Sequence, residues 1–176
     1  MASASALPPF VTLPKRAALA VLVLALLAIG GAWFSQLVIG LRPCELCLLQ
    51  RWPYYVGVPL AAIASFVALG APALRGSVLA PLMTALALIF LVSAGLGVYH
   101  AGVEWGLWAG PSACAGQYAA PASTSDFLKS LEAGPSVRCD EAAIRVLGLS
   151  LAGWNALVSL LIMAIAVLGA KSAWRS

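Results

Sequence analysis

The sequence predicts an all-α membrane protein, a four-transmembrane-helix bundle with one long external loop between helices 3 and 4. Three observations carry that prediction. Apolar residues make up 62% of the chain and charged residues 9%, against about 25% charged in an ordinary soluble domain. The apolar residues gather into four stretches, each close to the roughly 20 residues an α-helix needs to cross the hydrocarbon core. No internal repeat divides them, so residues 1–176 read as a single integral membrane domain. The Lys and Arg behind the net charge of +4 do not cluster as a nucleic-acid footprint does. Nucleic-acid binding is set aside, and membrane lipid is the expected surrounding.

The first span is expected at Ala17–Ile39, directly after Lys15 and Arg16. Its apolar run far exceeds the roughly 7–15 residues of a secretory signal, so it reads as a retained helix. The second, Pro53–Leu69, is the shortest; a tight turn over Gly70–Ser77, with Pro72, Arg75 and Gly76, leads to the third at Val78–Tyr99. The fourth is expected at Val146–Ala170. Small residues recur at every fourth position: Gly57, Ala61 and Ser65; Ser93, Gly97 and Ala101; Ala152 and Ala156. Such ridges let membrane helices approach closely.

The connections near 40–52 and 101–145 are separated by two crossings and lie on one side of the membrane. Cys44 and Cys47 fall in the first, Cys114 and Cys139 in the second, so all the thiols share one face. The Lys and Arg count is tied between the two sides, but the positive-inside rule is read mainly from short flanks and the first helix. Lys15 and Arg16 therefore place both termini in the cytoplasm. An even set of cysteines on the opposite side suits an oxidising compartment.

Most of the chemical information lies in Arg42-Pro43-Cys44-Glu45-Leu46-Cys47-Leu48-Leu49-Gln50-Arg51. A helix starting near Pro43 places Cys44 beside unsatisfied backbone N–H groups, which stabilise a thiolate. That lowers a thiol pKa from its free value of about 8.5. Positions 44, 47 and 51 share one helical face, so Arg51 stands a turn beyond Cys47. There a guanidinium can stabilise a thiolate or hydrogen-bond an acceptor's carbonyl, or it can simply snorkel to the interface. The residues alone leave two further readings open: a zinc site completed by Cys114 and Cys139, and inert structural disulfides. The wide second spacing disfavours zinc, and no metal is expected.

Proline before a Cys-x-x-Cys, an arginine four residues after its second cysteine, four apolar spans and a long loop with two further cysteines together resemble the DsbB family of quinone-reducing disulfide-bond oxidoreductases. The resemblance covers almost the whole chain. It implies that Cys44 and Cys47 are the membrane-proximal redox pair, Cys114 and Cys139 the second pair, and Arg51 the quinone-site arginine. Tyr99-His100 and Glu104 resemble the family's quinone-pocket neighbourhood, with Glu104 standing where some relatives carry a neutral amide. Quinone reduction consumes protons and His titrates near neutrality, so His100 and Glu104, one turn apart, are candidate pocket residues.

The resemblance further implies a bacterial inner-membrane enzyme, electron transport to the quinone pool (ubiquinone or menaquinone), and a periplasmic thioredoxin-fold dithiol oxidase similar to DsbA as protein partner. That partner attacks at Cys114, and Cys139 passes the exchange to Cys44. The loop has the turn chemistry for movement at Ala109-Gly110-Pro111, around Pro121 and at Gly134-Pro135. Ser125-Asp126 resembles a helix start that puts Phe127, Leu128 and Leu131 near one face. A vitamin K epoxide reductase-like enzyme is the nearest alternative, but in that family the loop cysteines precede the Cys-x-x-Cys. A membrane scaffold with disulfide-braced loops is the non-catalytic alternative. A transporter is disfavoured because no span carries a central charge, and Asn155 reads as an interhelical hydrogen-bonding group.

Overall fold

The computed structural model describes residues 14–111, 123–125 and 138–175. Its α-helices are α1 (Pro14–Leu37), α2 (Glu45–Leu49), α3 (Trp52–Gly70), α4 (Ala80–Glu104) and α5 (Leu151–Trp174). Among the described residues, four segments are long and apolar enough to cross a membrane: Pro14–Leu37, Glu45–Gly70, Arg75–Glu104 and Leu151–Trp174. The protein is a four-helix membrane bundle with a long connection between α4 and α5. The short α2 is set off from α3 by Pro53, in the first turn of α3, where a residue without an N–H costs no helical bond. A 3₁₀ turn (Pro72–Leu74) and a π turn (Arg75–Leu79) join α3 to α4.

Two helix ends depart most from the hydropathy expectation. Helix α4 continues past Tyr99 to Glu104, because His100 and Glu104 interrupt the apolar run without breaking the helix. It stops at Gly106, whose φ of 69° is open to glycine without penalty. There the Leu107 N–H donates to the Gly102 carbonyl (2.9 Å) and the Gly106 N–H to that of Val103 (3.1 Å), the paired bonds of a Schellman cap. At the other end of the loop, Arg145–Val146 (β1) and Leu149–Ser150 (β2) form a small antiparallel hairpin rather than the first turn of the last helix. Leu147 (φ 53°) and Gly148 (φ 84°) make its turn, both in the left-handed region that a two-residue hairpin demands. Helix α5 then starts at Leu151, its N-terminus capped by Ser150 Oγ accepting from Gly153 N at 3.2 Å.

Lipid is as apolar as Leu, so these helices gain from close packing more than from hiding apolar surface. The large residues accordingly face outward: Leu27, Leu37 and Phe66 are exposed on the bundle exterior. The interior is built largely of Ala17, Ala18, Ala25, Ala61, Ala64, Ala68, Ala166, Ala170 and Ala173 around Met83, Leu86, Phe90 and Ile162. The expected small-residue ridges sit at real contacts. Gly97 lies against the backbone of Ala156, where an added Cβ would stand 2.8 Å from the amide nitrogen. Gly57 receives the ring of Phe90, which meets Tyr54 edge-on at 5.3 Å. Beyond the core, Trp108 folds back over Gly102, stacks on Tyr99 at 6.1 Å and donates its indole N–H to the Tyr99 carbonyl. This lock ties the start of the loop to the end of α4.

Candidate redox active site

Cys44 is the N-cap of α2, with extended backbone, and its sulfur accepts the Cys47 N–H at 3.3 Å. One turn on, Cys47 Sγ lies 2.9 Å from Cys44 Sγ, and both cysteines are free. His100, buried near the end of α4, places Nε2 3.7 Å from Cys44 Sγ. Since Cys44 receives a backbone N–H and faces the imidazole, it is the better anion of the pair and Cys47 the proton donor. Hydrogen bonding from Cys47, with a smaller contribution from His100, pulls the Cys44 thiol down to about 4, against burial, which pushes it up. The helix-start position and the Cys-x-x-Cys spacing thus act together on one sulfur.

Cys139 is fully buried and packs in one cluster with Cys44, Leu46 and Val103, against which Cys47 also rests. It is disulfide-bonded. The chain therefore juxtaposes a disulfide and a dithiol. Cys114 lies outside the described residues, as do Phe127, Leu128 and Leu131 of the expected loop helix. Just past Cys139, Arg138 pairs with Asp140 and Glu141 on the exposed surface.

On one flank of the pair a cavity of about 230 Å³ opens between α1, α3 and α5. Its walls are mostly apolar, including Ala28, Ile29, Ala32, Leu151 and Val158, with Cys47, Gln50, Arg51, Tyr54 and Asn155 at the polar end. Arg51 is 8% exposed. Its guanidinium donates to Gln36 Oε1 at 2.7 Å and to the Ala32 carbonyl at 3.4 Å, and lies 5.3 Å over the Trp33 ring. These contacts fix the plane of the fork inside the bundle, where a snorkelling anchor would extend to the interface.

On the other flank, His100 and Glu104 line a cavity of about 30 Å³ together with Cys44, Cys47, Arg42 and Arg138. His100 Nε2 is 3.8 Å from Glu104 Oε1. Glu104 Oε2 is buried with no hydrogen-bond partner among the described residues. The structure thus gathers Cys44, Cys47, Cys139, Arg51, His100 and Glu104 at one end of the bundle, with Arg51 on the wall of the larger cavity and His100 and Glu104 on the smaller one.

Three residues that sequence reasoning did not single out for the site join the two flanks. The Gln50 amide lies 2.6 Å from His100 Nδ1, its Oε1 accepts from Asn155 Nδ2 at 2.6 Å, and Tyr54 OH donates to Asn155 Oδ1 at 2.7 Å. Ser159 and Ser93 extend the chain into the core. Asn155 was visible only as a polar exception in an apolar span. Gln50 sits in the cysteine motif itself, one residue before Arg51, and that adjacency was the available signal.

The family profile described as "Disulfide bond formation protein DsbB" matches residues 14–169. The chain belongs to the DsbB family. Among similar DsbB-like sequences, proteins named disulfide bond formation protein B 1 from Pseudomonas putida and Pseudomonas entomophila are each 30% identical over 149 residues, 82% of either chain. An uncharacterized protein of Rickettsia prowazekii is 23% identical over 147 residues, 82% of this chain and 81% of its own. No solved structure matches the chain. Membership in the DsbB family makes this a multi-pass membrane protein of disulfide bond formation, with a disulfide oxidoreductase role.

Proposed function

We propose that this DsbB-family chain is a thiol:quinone oxidoreductase that reoxidises a periplasmic dithiol protein of the thioredoxin fold and delivers the electrons to a membrane quinone. The observation that carries the reading is the shared wall of the larger cavity, where Cys47 and Arg51 meet an otherwise mostly apolar space between helices. The donor set fits a quinone head group: a charged fork for a carbonyl oxygen, amide groups beside it, and apolar walls for the ring and tail. When bound there, a quinone supplies the sink for two electrons and two protons.

The chain's own residues perform the thiol exchange. A partner thiolate attacks the Cys114 sulfur of a Cys114–Cys139 disulfide, forming a mixed disulfide and releasing the Cys139 thiolate. The partner's second thiol displaces Cys114, so the partner leaves oxidised and the loop pair is a dithiol. Cys139 next attacks Cys44 of a Cys44–Cys47 disulfide and expels Cys47; Cys114 resolves that bond, restoring the loop disulfide. The packing of Cys139 against Cys44 supports this order. Cys44 and Cys47, now reduced, close to a disulfide across the 2.9 Å gap as they give up two electrons and two protons. Arg51 orients the acceptor through its planar fork of N–H donors.

The same reading places the cysteines on the periplasmic face of the bacterial inner membrane and both termini in the cytoplasm. A scaffold with braced loops has no use for a free, thiolate-stabilised pair beside a histidine. The test is anaerobic: purified protein with a reduced periplasmic dithiol carrier and added ubiquinone or menaquinone. Stoichiometric quinol formation with carrier oxidation is expected. Carrier oxidation absent with either quinone rejects the assignment.

A further inference from the structure

Sequence spacing pairs the Cys-x-x-Cys with the distant loop cysteines in any zinc reading, and that set fails because Cys139 is held in a disulfide. The fold supplies different donors. Cys44 Sγ, Cys47 Sγ and one ring nitrogen of His100 all lie within 4.8 Å of one another. Glu104 adds a fourth: Oε1 is 3.8 Å from His100 Nε2, its side chain is 5% exposed, and Oε2 has no partner among the described residues. We propose that the reduced Cys44–Cys47 pair, His100 and Glu104 form a tetrahedral zinc site that withdraws the dithiol from thiol–disulfide exchange.

The distances suit the metal. Zinc binds thiolate sulfur at about 2.3 Å and imidazole or carboxylate at about 2.0–2.2 Å, so donors at tetrahedral corners stand roughly 3.3–3.8 Å apart. The Cys44–His100 separation of 3.7 Å and the His100–Glu104 separation of 3.8 Å already meet that requirement. The two sulfurs, at 2.9 Å, must part by about 1 Å to reach that spacing. Glu104, which touches His100 but stands outside the 4.8 Å cluster of the other three donors, must swing its carboxylate towards the sulfurs. Loss of their shared proton on metal binding drives them apart, and Cys47, half-buried, has room to turn.

The surroundings complete the site. A histidine that ligates through Nε2 carries its hydrogen on Nδ1 and needs an acceptor there. Gln50 stands 2.6 Å from Nδ1, and turning its amide presents the carbonyl oxygen, with the Asn155 amide, which donates to Gln50 Oε1, turning in concert so that its oxygen faces Gln50. Two thiolates and a carboxylate exceed the charge of a divalent ion by one, and Arg42 in the wall of the same 30 Å³ cavity offsets the remainder, while Arg138 and Glu141, which also line it, pair with each other. That volume is about one water's share of liquid, enough for an ion and too little for a quinone. The burial that leaves Glu104 Oε2 without a hydrogen-bond partner among the described residues is then explained by a cation it would face.

Metal binding does not depend on the quinone reading; only its consequence for turnover does, so the two are measured separately. The full chain in detergent, reduced with a phosphine, is titrated with Co²⁺ as the probe and then with Zn²⁺. One equivalent of cobalt should give thiolate charge-transfer and tetrahedral ligand-field bands that zinc abolishes. The bands should persist in Cys114→Ala/Cys139→Ala. Affinity should fall about a hundredfold in His100→Ala and at least tenfold in the isosteric Glu104→Gln, and about tenfold in Gln50→Leu. Zinc should also slow reaction of the dithiol with a small disulfide, and a chelator should restore it. Absent charge-transfer bands, bands unchanged by both His100→Ala and Glu104→Gln, or bands lost with Cys114 and Cys139 would each overturn the proposal. Unchanged melting temperature of metal-free Glu104→Gln separates loss of a ligand from loss of the fold.

Discussion

Replacing Arg51 separates a quinone-orienting role from an anchoring one. In Arg51→Ala the charged donor beside Cys47 is lost, and Gln36 Oε1, its partner at 2.7 Å, is left unpaired. A hydrogen bond involving a charged group contributes about 1.5–3 kcal/mol, which is roughly a ten- to hundredfold loss if it acts on quinone binding or turnover. The contact with Trp33 adds about 0.5–1 kcal/mol to the stability of the α1–α3 region. Arg51→Lys keeps the charge, but one ammonium cannot reproduce the fork that reaches both Gln36 and the Ala32 carbonyl. It should therefore recover the melting temperature more fully than the quinone kinetics. Gln36→Leu, which frees the guanidinium without removing it, should show a smaller loss in the quinone kinetics than Arg51→Ala. Steady-state rates at varied quinone, with thiol exchange followed separately by mass spectrometry, distinguish these effects. Quinone parameters unchanged in Arg51→Ala at matched thermal stability would remove Arg51 from the site.

Three further outcomes follow from the same geometry. Because Cys44 is held at about 4 chiefly by the hydrogen bond from Cys47, the reduced pair should keep a thiolate from neutral pH down to that range and lose it below; Cys47→Ala should move the midpoint up towards the free-thiol value of about 8.5. Ultraviolet thiolate absorbance against pH reads this, and a wild-type midpoint already near the free value refutes it. Gly97→Ala drives a Cβ into the Ala156 backbone and should destabilise the bundle by about 1–3 kcal/mol, whereas Gly95→Ala meets nothing within 4 Å and should leave the detergent melting temperature unchanged or raised. Cys139→Ala, whose free Cys114 thiolate attacks the disulfide of the oxidised partner, should trap a mixed disulfide between Cys114 and that partner on non-reducing gels, and an equally abundant adduct in Cys114→Ala would reverse the order of attack.

The four-helix membrane architecture was legible in the sequence because it rests on composition and length alone: only a helix satisfies its own backbone across a bilayer. The pairing logic of Gly97 with Ala156 was half legible, as a ridge of small residues without a partner. Local chemistry was likewise readable where it depends on neighbours in the chain, as with Cys44 at a helix start and Arg51 a turn beyond Cys47. Helix ends at Glu104 and Leu151 were not, since hydropathy falls at His100 and stays high through Val146–Leu149, while capping by Gly106 and the Leu147–Gly148 turn decides the backbone.

Tertiary structure alone decided which polar groups meet. Gln50, His100 and Asn155 come from three different helical segments and converge within hydrogen-bond distance. His100 and Glu104 sit against Cys44, while Arg51 sits across the pair on the larger cavity. No spacing rule reaches such pairs, because their proximity is set by the packing angle and rotation of whole helices. A membrane offers buried polar atoms no water in compensation, so once the helices dock, those few side chains are driven onto one another, and the site takes its form from that constraint.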